Sequence, residues 1–248
     1  MRKIKHIIPV VLGILLTGCV DNAGSPGLSG DVSASKKSEN NTVPESKPGT
    51  KLLYQGHASF RLTSKEGTVI YVDPFAKSDA YGLPADIILV THQHTDHNNI
   101  DLVNQKPDCT VISNFEALEG GTHNSFSIKG IEIEAVEAAN KNHDPKACVG
   151  FIITIDGIKL YAAGDTSKTD QMETFAQMEF DYALLPCDGV FNMDVKEAAE
   201  CAEIIGAKQN IPIHMKPGAL FDRKIAERFD APNRLIIEPG MEIELVKS

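Results

Sequence analysis

The 248-residue sequence contains no tryptophan, and aromatic residues make up only 6% of it, so its core must be built mainly from aliphatic side chains. Positive charge is also short: 24 Lys and Arg stand against 34 Asp and Glu, a formal charge of −10. A surface this negative repels phosphate backbones, which argues against nucleic acid as a partner. No apolar run is long enough to cross a bilayer, and there is neither a heptad nor a Gly-x-y period. Multi-span membrane proteins, coiled coils and collagens are thereby excluded. The five cysteines form no C-x-x-C pair, and their separations match no zinc ribbon. A Gly-x-Ser-x-Gly nucleophile elbow is missing as well. What remains, 42% hydrophobic and 23% charged residues, is the composition of an ordinary globular chain of one domain or two small ones.

The first fifty residues have a different character. Arg2, Lys3 and Lys5 precede the apolar stretch 7–16, which is too short to span a membrane and contains Pro9. That is the layout of a secretory signal. It ends in Leu16-Thr17-Gly18-Cys19, which resembles a bacterial lipobox. The expectation is a lipoprotein signal peptide over 1–18, lipidation at Cys19, and an exported protein anchored by lipid to the extracytoplasmic face of the cell membrane. Residues 20–50 lack aromatics and are dense in Ser, Gly, Asn, Lys and Pro. They cannot bury enough apolar surface to offset ordering entropy, so 19–50 is expected to be a disordered tether and 51–248 the folded domain. Export permits disulfides, but Cys109, Cys148, Cys187 and Cys201 are expected to be mostly free, buried thiols.

Short β-branched or alternating segments predict strands at 51–55, 59–63, 68–72, 87–90, 110–113, 125–129, 131–136, 150–155, 158–162, 182–185, 211–214, 235–237 and 241–246. The continuous apolar run at 87–90 suits a strand buried on both faces. Asp156-Gly157 is a two-residue hairpin signal. Helices are expected at 169–178 and 195–205, the second capped by Asp194. Two sheets covered outside by helices is the simplest arrangement of these elements.

Directly after the 87–90 run stand His92, His94, Asp96 and His97, four metal-ligand side chains within six residues. Three imidazoles and a carboxylate crowded at a buried strand end desolvate and repel one another when protonated. A divalent cation relieves both problems, because neutral imidazole donates a lone pair and carboxylate supplies negative charge. Gly164-Asp165-Thr166, His143, His214 and His57 have similar placements near strand ends. Each alone is unremarkable.

Together, His92-x-His94-x-Asp96-His97, Gly164-Asp165-Thr166 and the late His214 resemble the metallo-β-lactamase superfamily. Gly56-His57-Ala58-Ser59-Phe60, Leu184-Leu185-Pro186 and Pro212-Ile213-His214 are similar to its branch of small metal-dependent hydrolases that includes the ascorbate-phosphate lactonase. The resemblance covers about residues 51–246. It implies an α+β fold, a four-layer αββα sandwich, with two divalent metal ions at one sheet edge: zinc foremost, manganese or iron as alternatives. His92 and His94 would bind the first ion, Asp96, His97 and His214 the second, and Asp165 would bridge them. His143 is the expected remaining first-site ligand, although its polar, loop-like setting leaves Asn140 or water as substitutes. His57 is expected beside the metals or substrate.

Two such ions lower the pKa of a shared water, and the resulting hydroxide would attack an ester, lactone or phosphoester, with Asp96 or Asp165 relaying the proton. The partner is then a small molecule. Lys216, Arg223 and Lys224 follow His214 and either steer an anionic substrate or simply face solvent. Asp188, Asn192 and Asp194 are further candidates for lining the groove. The alternatives are a non-catalytic metal- or ligand-binding lipoprotein with a degenerate site, and a true β-lactamase.

Overall fold

A computed structural model describes residues 49–247. The expected signal peptide, Cys19 and nearly all of the tether lie outside the described residues. Thr50 already belongs to the fold: it is buried, and its hydroxyl donates to Asp156 Oδ2 at 2.6 Å.

The first run of strands is β1 (Lys51–Gly56), β2 (Ser59–Thr63), β3 (Val69–Val72), β4 (Ala85–Val90) and β5 (Gln105–Ser113). After a one-turn helix α1 (Asn114–Ala117) come the short pair β6 (Leu118–Glu119) and β7 (Thr122–His123). Next are β8 (Ser125–Ile128), β9 (Ile131–Glu137), β10 (Val149–Ile155), β11 (Ile158–Ala162), α2 (Met172–Phe175) and β12 (Tyr182–Pro186). The chain closes with α3 (Val195–Ile205), β13 (Gln209–Ile213), α4 (Arg223–Arg228) and β14 (Glu242–Glu244). One six-stranded sheet has the order β14-β1-β2-β3-β4-β5 and the other β13-β12-β11-β10-β9-β8. Each is antiparallel over one part and parallel over the other: β3, β4 and β5 run parallel, as do β11, β12 and β13.

Alternation of side chains explains the stacking. Leu52 and Tyr54, Phe60 and Leu62, Ile70 and Val72, and Ile87 and Leu89 turn inward from the first sheet. They meet Ile131 and Ile133, Phe151 and Ile153, Leu160, Leu184 and Ile211 from the second. Each such side chain removed from water contributes about 1.5–3 kcal/mol. The odd partners point outward. On the second sheet, Ile152, Tyr161, Ala183 and Leu185 are covered by α3 through Ala198, Cys201, Ala202 and Ile205. Asp194 Oδ1 accepts from the N–H groups of Lys196 and Glu197 to start α3, and Gly206, at φ 68°, ends it.

The fold is thus the α+β sandwich expected. Over the first sheet, however, Tyr71, Ile88 and Val90 are covered by the 74–84 stretch and two 3₁₀ turns, Ser78–Ala80 and Ile100–Leu102. Pro74 and Pro84 bracket that stretch and Gly82 interrupts it, which leaves no room for an α-helix. The helix expected at 169–178 shrinks to the single turn α2. The strand expected at 235–237 does not form, leaving one isolated bridge between Asn210 and Arg234. Cys109, Cys148, Cys187 and Cys201 are all free. Among the described residues no helix is long and apolar enough to cross a membrane.

One buried carboxylate outside the site ties the first sheet together. Asp86 on β4 accepts from Val69 N at 2.9 Å, from Lys106 at 2.6 Å, and from Lys129. Burial raises its pKa, but the two lysines and the backbone N–H outweigh that and hold it at about 2. A depressed folded-state pKa means stability that is present above the usual carboxylate range and lost as pH falls through 2. Asp86→Asn is expected to cost about 1–3 kcal/mol in urea unfolding at pH 7. The gap from the parent chain should narrow steadily below pH 4; a gap that stays constant would remove the ion pairs as its cause.

Candidate metal centre

The carboxyl ends of the parallel strands of both sheets lie at one edge of the sandwich, the position where open sheets carry their sites. From the first sheet, β3 runs into Asp73 and β4 into Thr91 and His92. From the second, β11 leads to Asp165, β12 to Asp188, and β13 to His214.

The loops are held locally. After β4 the chain turns back on itself, with the N–H groups of His97 and Asn98 both donating to His94 O. That turn puts His92, His94, Asp96 and His97 around one point. The approach of Asp165 requires a glycine before it: a Cβ on Gly164, at φ 63°, would come within 2.9 Å of Val149 O and 3.0 Å of Thr91 Cβ. Likewise a Cβ on Gly56, at φ 108°, would meet Leu220 Cβ at 2.7 Å. The turn that Gly56 allows places His57, whose carbonyl accepts from His214 N at 2.8 Å. Between β9 and β10 the polar segment is a tight turn in which Asn140 and His143 exchange backbone hydrogen bonds.

The structure brings His92, His94, Asp96, His97, His143, Asp165 and His214 together, with His57 beside them. Candidate ligand atoms of His92, His94 and His143 lie within 4.8 Å of one another, as do those of His57, Asp96, His97 and His214, and those of His92, His97 and Asp165. Asp165 sits in the middle. Its Oδ1 is 3.3 Å from His97 Nε2, and its Oδ2 is 3.4 Å from both His143 Nε2 and His214 Nε2. His57 Nε2 is 3.2 Å from Asp96 Oδ2. Asn140 is no substitute for His143; its Oδ1 lies behind the ring, 2.9 Å from Nδ1. His123 is elsewhere, on β7 beside a separate cavity with Glu137 and Gln171. Lys216 is exposed and lines neither recess at the centre.

On the far side of the His92, His97, His143 and His214 rings stands an oxygen. Asp73 Oδ2 takes the His97 Nδ1 proton at 2.9 Å and the Thr91 hydroxyl at 2.8 Å. With its hydrogen committed, Thr91 Oγ1 accepts from His92 Nδ1 at 3.0 Å. Asp188 Oδ2 lies 2.8 Å from His214 Nδ1. The contacts of His97 and His92 place their ring protons on Nδ1 and turn their Nε2 lone pairs inward, and the Asp188 carboxylate faces Nδ1 of His214. Nε2 of His92, His97, His143 and His214 and Oδ1 of Asp165 are all buried with no hydrogen-bond partner among the described residues. Unpaired lone pairs converging on a buried carboxylate are costly unless a cation lies among them. The donor set, imidazole nitrogen and carboxylate oxygen, suits a divalent transition metal.

The electrostatics agree. Burial, reinforced by His97, His143 and His94 and opposed by Asp165, pushes His92 down to about 2, so that ring is a neutral donor. Burial also disfavours charge on His97, but Asp165 and Asp73 outweigh it and raise that pKa well above the usual value. The pocket therefore demands positive charge. Burial pushes Asp165 up, yet His97, His214 and His92 hold it well below the ordinary carboxylate range. Asp96 is held low chiefly by His57.

Sequence reasoning missed Asp73. Its one signal was Asp73-Pro74 immediately after the buried strand β3, and its partner His97 is 24 residues away. Asp188, Asn192 and Asp194 do not line the recess as expected. The Asp188 side chain is fully buried behind His214, Asn192 bonds to Asn140 and Asp188, and Asp194 caps α3.

Residues 51–214 match the family model described as the beta-lactamase superfamily domain. A UPF0173 metal-dependent hydrolase of Nitratidesulfovibrio vulgaris is 33% identical over 192 residues, covering 66% of this chain and 80% of that one. A second protein of that description, from Pyrococcus furiosus, is 29% identical over 229 residues, with 79% and 99% covered. Among solved structures, Igni18, a metallo hydrolase of Ignicoccus hospitalis, superposes with a TM-score of 0.65 at 21% identity, covering 81% of this chain and all of that one.

Proposed function

The chain belongs to the beta-lactamase superfamily and, within it, to the metal-dependent hydrolases of the UPF0173 group; from that premise we propose that it is a binuclear hydrolase of an ester, lactone or phosphoester. His92, His94 and His143 would hold one ion, Asp96, His97 and His214 the other, and Asp165 both. Zinc is the first choice, with manganese or iron compatible. The observation that carries this reading is the convergence of four buried, partnerless imidazole Nε2 atoms around the Asp165 carboxylate. Bound divalent ions supply a Lewis acid for the scissile carbonyl or phosphoryl oxygen and lower the pKa of a water between them.

The chain's own residues do the rest. Asp73, Asp188 and Asn140 fix the tautomer and aim of His97, His214 and His143, and His57 steadies Asp96. Of the two candidate proton carriers, Asp96 has a side chain 33% exposed to the recess, while that of Asp165 is 4% exposed. Asp96 is therefore the carboxylate able to hand a proton to a leaving oxygen, and Asp165 a holding group. His57 and His214, from the motifs at 56–60 and 212–214, stand in this centre, which supports kinship with the lactonase-like branch. The signal-like 1–18 segment and Cys19 support placement as a lipid-anchored protein on the extracytoplasmic face.

Elemental assay of the purified full chain is expected to find two divalent ions per molecule. Turnover within an ester, lactone and phosphodiester panel should disappear with a chelator and return on adding zinc, manganese or iron. One weakly held ion together with no turnover across the panel would count decisively against the reading.

A further inference from the structure

Two recesses open side by side at the centre and share Gln93, His94, Asn142 and His143. The first, about 530 Å³, is lined by Asp96, Asp165 and His214 and walled by Phe191. The second, about 380 Å³, runs past His92 and His94 to Phe115. Phe191 is 47% exposed, its neighbour Val190 53%, and Phe115 67%. Phe191 and Phe115 are large apolar side chains open at the lips of the two recesses, where the apolar group of a bound substrate would cover them. The Phe191 backbone is anchored: its N–H donates to Asp188 Oδ1 at 2.7 Å, and its carbonyl accepts from Asn142 Nδ2 at 2.9 Å. A ring presented on a fixed backbone loses little further freedom on binding.

Charge narrows the choice of ligand. Among the described residues no Lys or Arg lines either recess. Arg223 is occupied by Glu238 and Glu227, and the whole chain is negative. Asp73, Asp96, Asp165 and Asp188 already bring four carboxylates to the centre, which an arriving anion would meet without a side-chain cation beside them. A phosphoester would find no side-chain cation and a repelling surface; an uncharged carbonyl compound meets neither obstacle.

Resting on the hydrolase reading above, we propose that the substrate is an uncharged carboxylic ester or lactone whose apolar group packs against Phe191, with Phe115 as the far wall. Water adds across the acyl C–O bond. The carbonyl carbon gains the water oxygen, the acyl C–O bond breaks, and the departing alkoxide takes up one of the two water protons. A carboxylic acid and an alcohol result, and nothing is oxidised or reduced.

The test uses the full chain and p-nitrophenyl esters of matched chemistry. From acetate to hexanoate, kcat/KM should rise at least about tenfold, and Phe191→Ala should remove most of that rise. The hexanoate ester should be preferred by at least about tenfold over the equally long adipate monoester, which ends in a carboxylate. Because the chain has no tryptophan, Phe191→Trp installs a single indole at the lip. Its emission should change saturably with hexanamide and not with inorganic phosphate, without any turnover. A flat chain-length series unaltered by Phe191→Ala, or a preference for the adipate ester or for bis(p-nitrophenyl) phosphate, overturns this substrate class while the metal-hydrolase reading stands. A chain that holds no metal and turns over neither class overturns that reading, and the proposal with it.

Discussion

Asp165→Asn is expected to strip the centre of metal and lower kcat/KM by at least about a thousandfold, with the chain still folded. The carboxylate contacts three of the converging imidazoles, through one oxygen to His97 and the other to His143 and His214. The amide keeps the shape but loses the charge and one acceptor. Its NH₂ group can donate to a partnerless Nε2, so the metal-free fold should tolerate the change and its melting temperature in chelator should hold. What should vanish is the metal-dependent gain in stability, which reaches about 4 kcal/mol for a ligand present at a thousand times its Kd. Elemental analysis, thermal melts with and without zinc, and kinetics therefore move together. An Asp165→Asn variant that keeps two ions and near-parent activity would deny Asp165 its central place.

His94→Ala tests the other end of the cluster with less structural risk. His94 is exposed, whereas His92, His97, His143 and His214 are buried, so its truncation leaves no cavity in the core. The ring centroid lies 4.5 Å from that of His92 and 5.0 Å from that of His143, as one corner of the first triad. Loss of the ring should leave the melting temperature in chelator unchanged and reduce the metal content to about one ion. The fall in kcat/KM should be about a hundredfold or more, because both ions contribute to charge stabilisation. A variant retaining two tight ions would mean the first site is built without His94.

How much of this was legible beforehand differs from element to element. The β10–β11 hairpin was readable because Asp156 and Gly157, at φ 52° and 81°, are residue types that tolerate the left-handed turn the strands need. The α3 helix was readable to the residue because Asp194 and Gly206 cap it locally. The helix at 169–178 is shorter than its pattern suggests: Met172 and Phe175 do pack inward, but one turn satisfies them, and Glu179 has left the helical region at φ 54°. β5 begins at Gln105, earlier than expected, because Pro107 is tolerated on an edge strand, where a missing N–H breaks no ladder. The 235–237 run is apolar because Leu235, Ile236 and Ile237 pack against the two cores, not because it pairs in a sheet.

The amino-acid order alone pointed to the ligand chemistry. The spacing of His92, His94, Asp96 and His97 after a doubly buried strand crowds metal-ligand side chains that a cation would reconcile. Folding decided which distant groups complete and brace that cluster. Asp73, Asp188, His143 and His57 sit on other strands and turns, and each comes within 2.8–3.4 Å of a residue remote in the chain: His97, His214, Asp165 and Asp96 in turn. Hydrogen bonding acts over such distances alone, so the bracing roles of Asp73 and Asp188 exist only once both sheets have closed on their shared core.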